Sequence, residues 1–372
     1  MLMMMMRISG YCLVVLLLGF SSLLFDVDCL GMNNHEIKID NLCNLYEGNW
    51  VLDETYPLYD SLKCPYIFKR FQCQKNGRPD NQYLKYRWKP THCDFPRVSG
   101  LDFLELLRGK KILFIGDSIT LNHWESFMCL LHAHAPKSTT ITPINNATFS
   151  NGILFKDYEV SVLRLNSHYL VDIEEGKNGS VLKLNSMKMG NLWNEMDVLI
   201  FNSWLWWTRI GTPSQPFDHI EDGNQTVKSM DQIEAYRKAL TTWANWVDTS
   251  VNTTKTKVIF QALSPSHYNG REWNKSEGTN CEGEKEPIIL TNNGTLYPKD
   301  SSPPSLVLKE VLNQMKKPIH LLDITTLSKL RKDGHPSKFN TYGLVDCKHW
   351  CIAGVQDTWN QLLYYALKKL FI

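Results

Sequence analysis

The sequence has almost no net charge: 40 lysines and arginines stand against 38 aspartates and glutamates, leaving +2 over 372 residues. No global field would draw in a polyanion, so nucleic acid is not an expected partner, although a local basic patch is compatible with that balance. Internal repeats and low-complexity stretches are absent apart from a methionine run at the start, which excludes repeat arrays and disordered tracts. No Ser/Pro-rich linker interrupts the chain. With 43% hydrophobic and 11% aromatic residues it can bury one large core, or one core with a small satellite.

What is present begins with Arg7 and an apolar run over residues 11–25, broken only by Gly19, Ser21 and Ser22, with Asp26 and Asp28 beyond. Such a segment, taken as residues 1–31, routes a chain into the secretory pathway. Its apolar length of roughly 15 to 18 residues is long for a signal peptide and short for a full span, so cleavage and retention as a membrane anchor are both open. Asn146, Asn178, Asn224, Asn252, Asn274 and Asn293 each begin an Asn-x-Ser/Thr triplet without proline, the acceptor for glycans on lumenal loops. Ten cysteines fit the same oxidising compartment. Setting aside Cys12 in the leader and Cys29 after it leaves Cys43, Cys64, Cys73, Cys93, Cys129, Cys281, Cys347 and Cys351. Counting alone assigns no pairs among them.

Residues 43–97 hold four of these cysteines, many aromatics and the turn signals Asn76-Gly77 and Arg78-Pro79, with little helical periodicity. They read as a small disulfide-stapled module, expected to pack against residues 98–372. There, residues 111–115, 197–202, 257–262 and 319–323 read as strands buried on both faces. Residues 121–132, 231–247, 305–317 and 358–371 read as helices, the second placing Tyr236, Leu240, Trp243 and Val247 on one face. The alternation predicts an α/β domain with a mainly parallel sheet covered on both sides and a site at the strands' carboxyl ends.

The sharpest local feature is Phe114-Ile115-Gly116-Asp117-Ser118-Ile119-Thr120, where an expected strand gives way to an expected helix. Gly116 permits a tight turn, and Ser118 at a helix N-terminus would lie among backbone N–H groups able to stabilise an oxyanion. The competing reading makes Asp117 or Ser118 only a helix cap. The G-x-S-x-G elbow of α/β-hydrolases is missing, because Thr120 occupies its last position. Near the C-terminus stands Val345-Asp346-Cys347-Lys348-His349-Trp350-Cys351. Asp346 and His349, three positions apart, can face the same way on a turn. The carboxylate would then hold imidazole Nδ1–H and leave Nε2 to take a serine proton. Zinc ligation by Asp346, Cys347, His349 and Cys351, or a purely structural His349, are the alternatives; since lumenal cysteines usually pair, no metal is expected.

On these residues the chain resembles the plant trichome birefringence-like family of cell-wall polysaccharide O-acetyltransferases, within the wider GDSL/SGNH hydrolase-like group. The matching text includes Cys43-x-x-x-x-Gly48-x-Trp50, Tyr56-Pro57-Leu58-Tyr59, Cys64-Pro65 and Cys73-Gln74-Lys75-Asn76-Gly77-Arg78-Pro79-Asp80. It continues with Tyr86-Arg87-Trp88, Gly116-Asp117-Ser118, Ser264-Pro265-Ser266-His267-Tyr268-Asn269-Gly270, residues 346–351 and Asp357-Thr358-Trp359-Asn360. The resemblance implies a three-layer α/β/α SGNH-like domain with Ser118 as nucleophile and Asp346 and His349 as its partners. It also implies disulfides joining Cys43 to Cys93, Cys64 to Cys129, Cys73 to Cys351 and Cys281 to Cys347.

By the same analogy Asn202 would join the Ser118 N–H in an oxyanion hole, against the simpler reading of an asparagine at a strand end. Trp204, Trp206 and Trp207 follow at once and either form a platform for sugar rings or pack in the core. His267 and Asn269 are expected to line the acceptor cleft. The implied activity is acetyl transfer to polysaccharide hydroxyls, with acetyl-CoA or another carrier as co-substrate and no bound cofactor. A polysaccharide acetylesterase using the same residues and a catalytically silent polysaccharide-binding protein are the alternatives. The expected location is the Golgi membrane, with the domain lumenal and residues 1–31 as anchor if uncleaved, or the cell wall after secretion.

Overall fold

The computed structural model describes residues 43–135, 150–177, 179–193, 195–290 and 300–371 with their side chains, and residues 3–8, 11–18, 21–26 and 141–143 as backbone. The chain divides into two compact units, Met1–Cys43 and Asn44–Ile372. In the first, Met3–Ile8, Tyr11–Leu18 and Ser21–Asp26 pair antiparallel. The expected leader falls here, and its side chains lie outside the described residues. No helix among the described residues is long and apolar enough to cross a membrane.

The second unit is built on a seven-stranded sheet. Its strands are β1 (Lys111–Gly116), β2 (Ile141–Pro143), β3 (Asn151–Phe155), β4 (Val160–Asn166), β5 (Val198–Phe201), β6 (Lys257–Gln261) and β7 (His320–Leu322). They lie in the order β7-β6-β5-β1-β4-β3-β2, the first five parallel and the last two antiparallel. The run Ile112 to Gly116 is buried throughout, as a central strand covered on both faces requires.

The helices are α1 (Gly100–Leu106), α2 (Ser118–His134), α3 (Gln232–Ser250), α4 (Pro303–Gln314), α5 (Thr325–Lys329) and α6 (Val355–Phe371). Strand register decides which side each covers. Phe114, Ile200 and Ile259 stand abreast across β1, β5 and β6 on one face; Ile115, Phe201 and Phe260 share the other. Phe114 meets His123 and Phe127 of α2, whereas Phe201 and Phe260 meet Trp243 of α3. Helices α1 and α6 pack on α2, and α4 packs on α3. The result is a three-layer α/β/α domain.

The four expected strands and four expected helices are present, their ends moved by no more than a helical turn. Sequence reading missed β4 and its hairpin neighbours, because Ser161, Arg164 and Asn166 interrupt the apolar run of β4. It also missed a smaller sheet made of Asp172–Gly176, Gly179–Lys183, His219–Asp222 and Gln225–Val227.

Residues 44–97 belong to the same compact unit as the α/β domain and extend its core. Gly48–Leu52 pairs antiparallel with Tyr86–Pro90, which sets Trp50 edge-on against Trp88. Trp50 Nε1–H reaches the carbonyl of Leu327 at 2.8 Å. Disulfides join Cys64 to Cys129 on α2, Cys73 to Cys351, and Cys281 to Cys347. Cys43 and Cys93 are disulfide-bonded as well. Of the sequon asparagines, Asn224, Asn252 and Asn274 are exposed; Asn146, Asn178 and Asn293 lie outside the described residues.

Candidate active site

Gly116 ends β1 where no side chain would fit: a Cβ there would strike the Asn202 carbonyl and the Thr120 hydroxyl. The chain can therefore turn at once into α2. Asp117 caps that helix, its carboxylate accepting from Ile119 N–H at 2.8 Å. Burial pushes the Asp117 carboxyl up to about 6, against the pull of the N–H groups of Ile119, Leu205, Thr120 and Trp204. Ser118 is thus the first residue of a 17-residue helix, at the carboxyl end of the central strand.

The segment 346–351 meets it from the far end of the chain. Ser118 Oγ lies 2.8 Å from His349 Nε2, and His349 Nδ1 lies 2.7 Å from Asp346 Oδ2. The second Asp346 oxygen accepts the N–H groups of Lys348 and His349 at 3.2 and 3.1 Å. With Nδ1–H given to the carboxylate, Nε2 is left to accept the serine proton. Burial disfavours the charged carboxylate, but the His349 imidazole and those N–H groups outweigh it and hold Asp346 far below the usual carboxylate range. Burial likewise lowers His349 from its ordinary 6.5, partly countered by Asp346.

Several residues that sequence reading did not single out hold this arrangement. Asn122, one helical turn beyond Ser118, accepts from Trp350 N–H at 2.8 Å and donates to the Trp350 carbonyl at 3.1 Å. Its i, i+4 spacing from Ser118 on one helix face was the available signal. Behind the loop, His335 Nδ1–H donates to the His349 carbonyl at 2.6 Å, and the His335 ring stacks on Trp350.

Some expected site residues lie elsewhere. Asn202 donates both amide hydrogens to the carbonyls of Gln261 and Ala262, each at 3.2 Å, so it ties strand ends together and does not reach the cleft. His267 is buried, its ring nitrogens meeting His335 Nε2 at 2.6 Å and the Lys329 carbonyl at 2.9 Å. Asn269 caps the short helix Gly270–Trp273 at the surface, and it is Tyr268 from this loop that lines the cleft. Trp207 is wholly buried against Tyr169 and Tyr236, and Trp204 packs on Tyr236. Trp206 does line the cleft, but His168 and the Arg209 guanidinium each lie 3.7 Å from its ring centroid. Two groups so close cannot share one face, so neither face is free to stack a sugar. The zinc alternative fails because Cys347 and Cys351 spend their sulfurs in disulfides.

Ser118, Asp346 and His349 open onto a cleft of about 510 Å³. Arg164, Asn166 and His168 line it from the end of β4, Leu205, Trp206 and Arg209 from the segment after β5, and Phe68 and Arg70 from the N-terminal module.

A three-layer domain with an open serine, histidine and aspartate relay at the carboxyl end of its central strand is the architecture of SGNH-type enzymes of acyl transfer and acyl-ester hydrolysis. The family model described as "GDSL/SGNH-like Acyl-Esterase family found in Pmr5 and Cas1p" matches residues 95–366, and the PMR5 N-terminal domain model matches residues 41–94. The chain is 49% identical to Protein trichome birefringence-like 38 of Arabidopsis thaliana, over 87% of this chain and 84% of the relative. It is 46% identical to Protein trichome birefringence-like 39 of the same plant, over 92% of each. With trichome birefringence-like 43 it shares 44% over 95% of this chain and 96% of the relative. The chain belongs to the trichome birefringence-like family.

Proposed function

We propose that this chain moves acetyl groups onto hydroxyls of a plant cell-wall polysaccharide through an acetyl-Ser118 intermediate. The observation that carries this reading is the unbroken contact from Ser118 Oγ to His349 to Asp346, with steps of 2.8 and 2.7 Å, beside an open cleft. In the first half His349 Nε2 takes the Ser118 proton while Oγ bonds to the donor's acetyl carbon; the donor's leaving atom then departs with that proton. In the second half Nε2 takes the proton of a sugar hydroxyl, the sugar oxygen bonds to the acetyl carbon, and Oγ leaves and regains its proton. Asp346 stays ionised and steadies the imidazolium. The backbone N–H of Ser118, at the start of α2, and the Asn166 carboxamide are assigned to the oxyanion. The acetyl donor, acetyl-CoA or another carrier, enters as co-substrate, and no step is assigned to a metal or bound cofactor.

Water in place of the sugar hydroxyl would make the same groups an acetylesterase, a second reading favoured by the acyl-esterase description of the matching family. Exposed sequons at Asn224, Asn252 and Asn274 and the disulfides support a lumenal site of action. We assign the domain to the Golgi lumen, held by residues 1–31 if they are retained, with secretion to the wall as the alternative.

The test incubates purified protein with an acetyl donor and a panel of deacetylated and acetylated wall oligosaccharides and reads mass changes. Gain of acetyl supports transfer, and loss without gain supports the esterase. Ser118→Ala and His349→Ala should each abolish both; near-normal turnover in either variant rejects the assignment.

A further inference from the structure

The arginines of this chain fall into two groups. Of the ten with described side chains, six form ion pairs: Arg78, Arg87, Arg108, Arg237, Arg271 and Arg331. Arg70, Arg97, Arg164 and Arg209 have no ion pair among the described residues, and all of these except Arg97 line the cleft beside Ser118. Lys348, also without an ion pair among the described residues, lines it too. The acids at the cleft do not balance them. Asp346 is bonded to His349, and Asp117 is a buried helix cap. Glu125 lies beneath, within electrostatic reach of Arg70 and Arg164; burial pushes its carboxyl up to about 8, so it stays protonated at neutral pH.

These cations are also held in place. Arg209 Cζ lies over the Trp206 ring, and Arg164 donates through Nε and Nη2 to Asn151 Oδ1 at 3.0 and 2.8 Å. Arg70 lies over Phe71, with its Nε buried and unbonded among the described residues. A buried polar group without a partner carries a desolvation cost that a ligand acceptor would remove. Planar guanidinium forks match the paired oxygens of carboxylates and phosphates. Beside them, Phe68, Tyr268 and Tyr342 are 55%, 46% and 61% exposed while lining the same cleft. Exposed aromatic rims suit the C–H faces of sugar rings.

We infer that the cleft beside Ser118 is shaped for a glycan bearing carboxylates, a chain containing uronic acid residues. The inference rests on the reading that Ser118 transfers acyl groups to or from a glycan, and narrows its substrate. The four cations line the cleft from four separate segments, which suits carboxylates spaced along a chain better than a single anion. The other source of such an anion is a phosphate-bearing acetyl donor.

The test measures binding to the full chain carrying Ser118→Ala, by calorimetry, for an acetylated oligogalacturonide, its fully methyl-esterified counterpart, a neutral xylo-oligosaccharide and coenzyme A. The free acid should bind about ten-fold more tightly than its methyl ester at low salt, the gap closing as ionic strength rises from about 0.01 M to about 0.15 M. Arg70→Gln combined with Arg209→Gln should bring the two ligands within about two-fold of each other. A thermal melt near that of the parent chain shows that the double variant is folded. Equal binding of acid and ester, binding of neither, or tight binding of coenzyme A alone would overturn the inference. Wild-type turnover is read separately. Acid-selective binding without Ser118-dependent turnover would sink the acyl-transfer reading and leave the carboxylate site, whereas turnover indifferent to the carboxylate would do the reverse.

Discussion

The loop 346–351 has two sides, and they treat charge in opposite ways. Behind it, Arg78 pairs with Asp80 and donates to the carbonyls of Asp333 and His335 at 2.8 and 3.1 Å. Arg331 pairs with Asp333 at 2.8 Å, donates to the Tyr83 carbonyl at 2.7 Å, and lies over the Trp50 ring. Every guanidinium nitrogen of Arg78 and the Nε and Nη2 of Arg331 have acceptors within the chain, Arg331 Nη1 being buried without one among the described residues, and two disulfides close the same region. In front, Arg70, Arg164 and Arg209 line the cleft and form no ion pair among the described residues. Satisfied buried charge fixes one conformation; unpaired charge beside Ser118 leaves binding capacity for something that arrives.

The comparison breaks most sharply on the front side at Asp346. Asp346→Asn keeps the shape but no longer imposes the Nδ1–H tautomer, so kcat should fall by about a thousand- to ten-thousand-fold while the melting temperature hardly moves. Steady-state kinetics beside a thermal melt check this; a loss under ten-fold would mean that the loop does not act through its carboxylate. The back side should fail in the complementary way. Arg331→Met strands the Asp333 carboxylate in a fully buried site, and removing one partner of such a pair costs about 3 to 5 kcal/mol. Chemical denaturation should register that loss, and the surviving folded fraction should keep its kcat. If stability is unchanged, the paired side is not what holds the loop.

The meeting of Ser118 with His349 was legible because both segments carry dense local patterns: a glycine turn between strand and helix, and an Asp and a His on one turn. The walls of the cleft were not. Arg164, Asn166 and His168 hang from β4, whose polar residues disguise a central strand, and nothing near Arg209 in sequence shows that its guanidinium lies on Trp206. Asn202 was read toward the cleft because it ends a strand. In the fold the last carbonyls of the neighbouring strand run past the ladder, and its amide is their donor. Trp204, Trp206 and Trp207 look alike as text, yet each takes its place from partners tens of residues away. Which module arginine would serve the fold was equally hidden, since Arg78 meets its two carbonyl acceptors more than 250 residues further on.

A finer test uses pH, because the buried histidines and the buried carboxyls of this fold are shifted in ways that oppose each other in stability. Burial lowers His123, His168, His267 and His320 to about 4 and holds His335 well below its ordinary 6.5. Unfolded, these rings take up protons near 6.5, so below that pH the unfolded chain binds more protons and the fold weakens as pH drops toward 4. Burial raises Asp117 and Asp357 to about 6 and Glu125 to about 8. Here the folded chain keeps protons that the unfolded chain has released, so stability falls as pH rises to those values. Between about 4 and 6 these five histidines outnumber the three carboxyls, and of these groups Glu125 is the one whose folded value lies above 6.5. Melting temperature should therefore peak near pH 6.5, with a shallow alkaline decline that ends near pH 8. Glu125→Gln, which stays neutral beneath Arg70 and Arg164, should flatten that decline and leave the acid limb as it was. A wild-type melting temperature that climbs from pH 6.5 to 8, or an alkaline limb untouched in Glu125→Gln, would mean that Glu125 is ionised under the cleft. The front arginines would then have a counter-ion after all, and the contrast between the two sides would collapse.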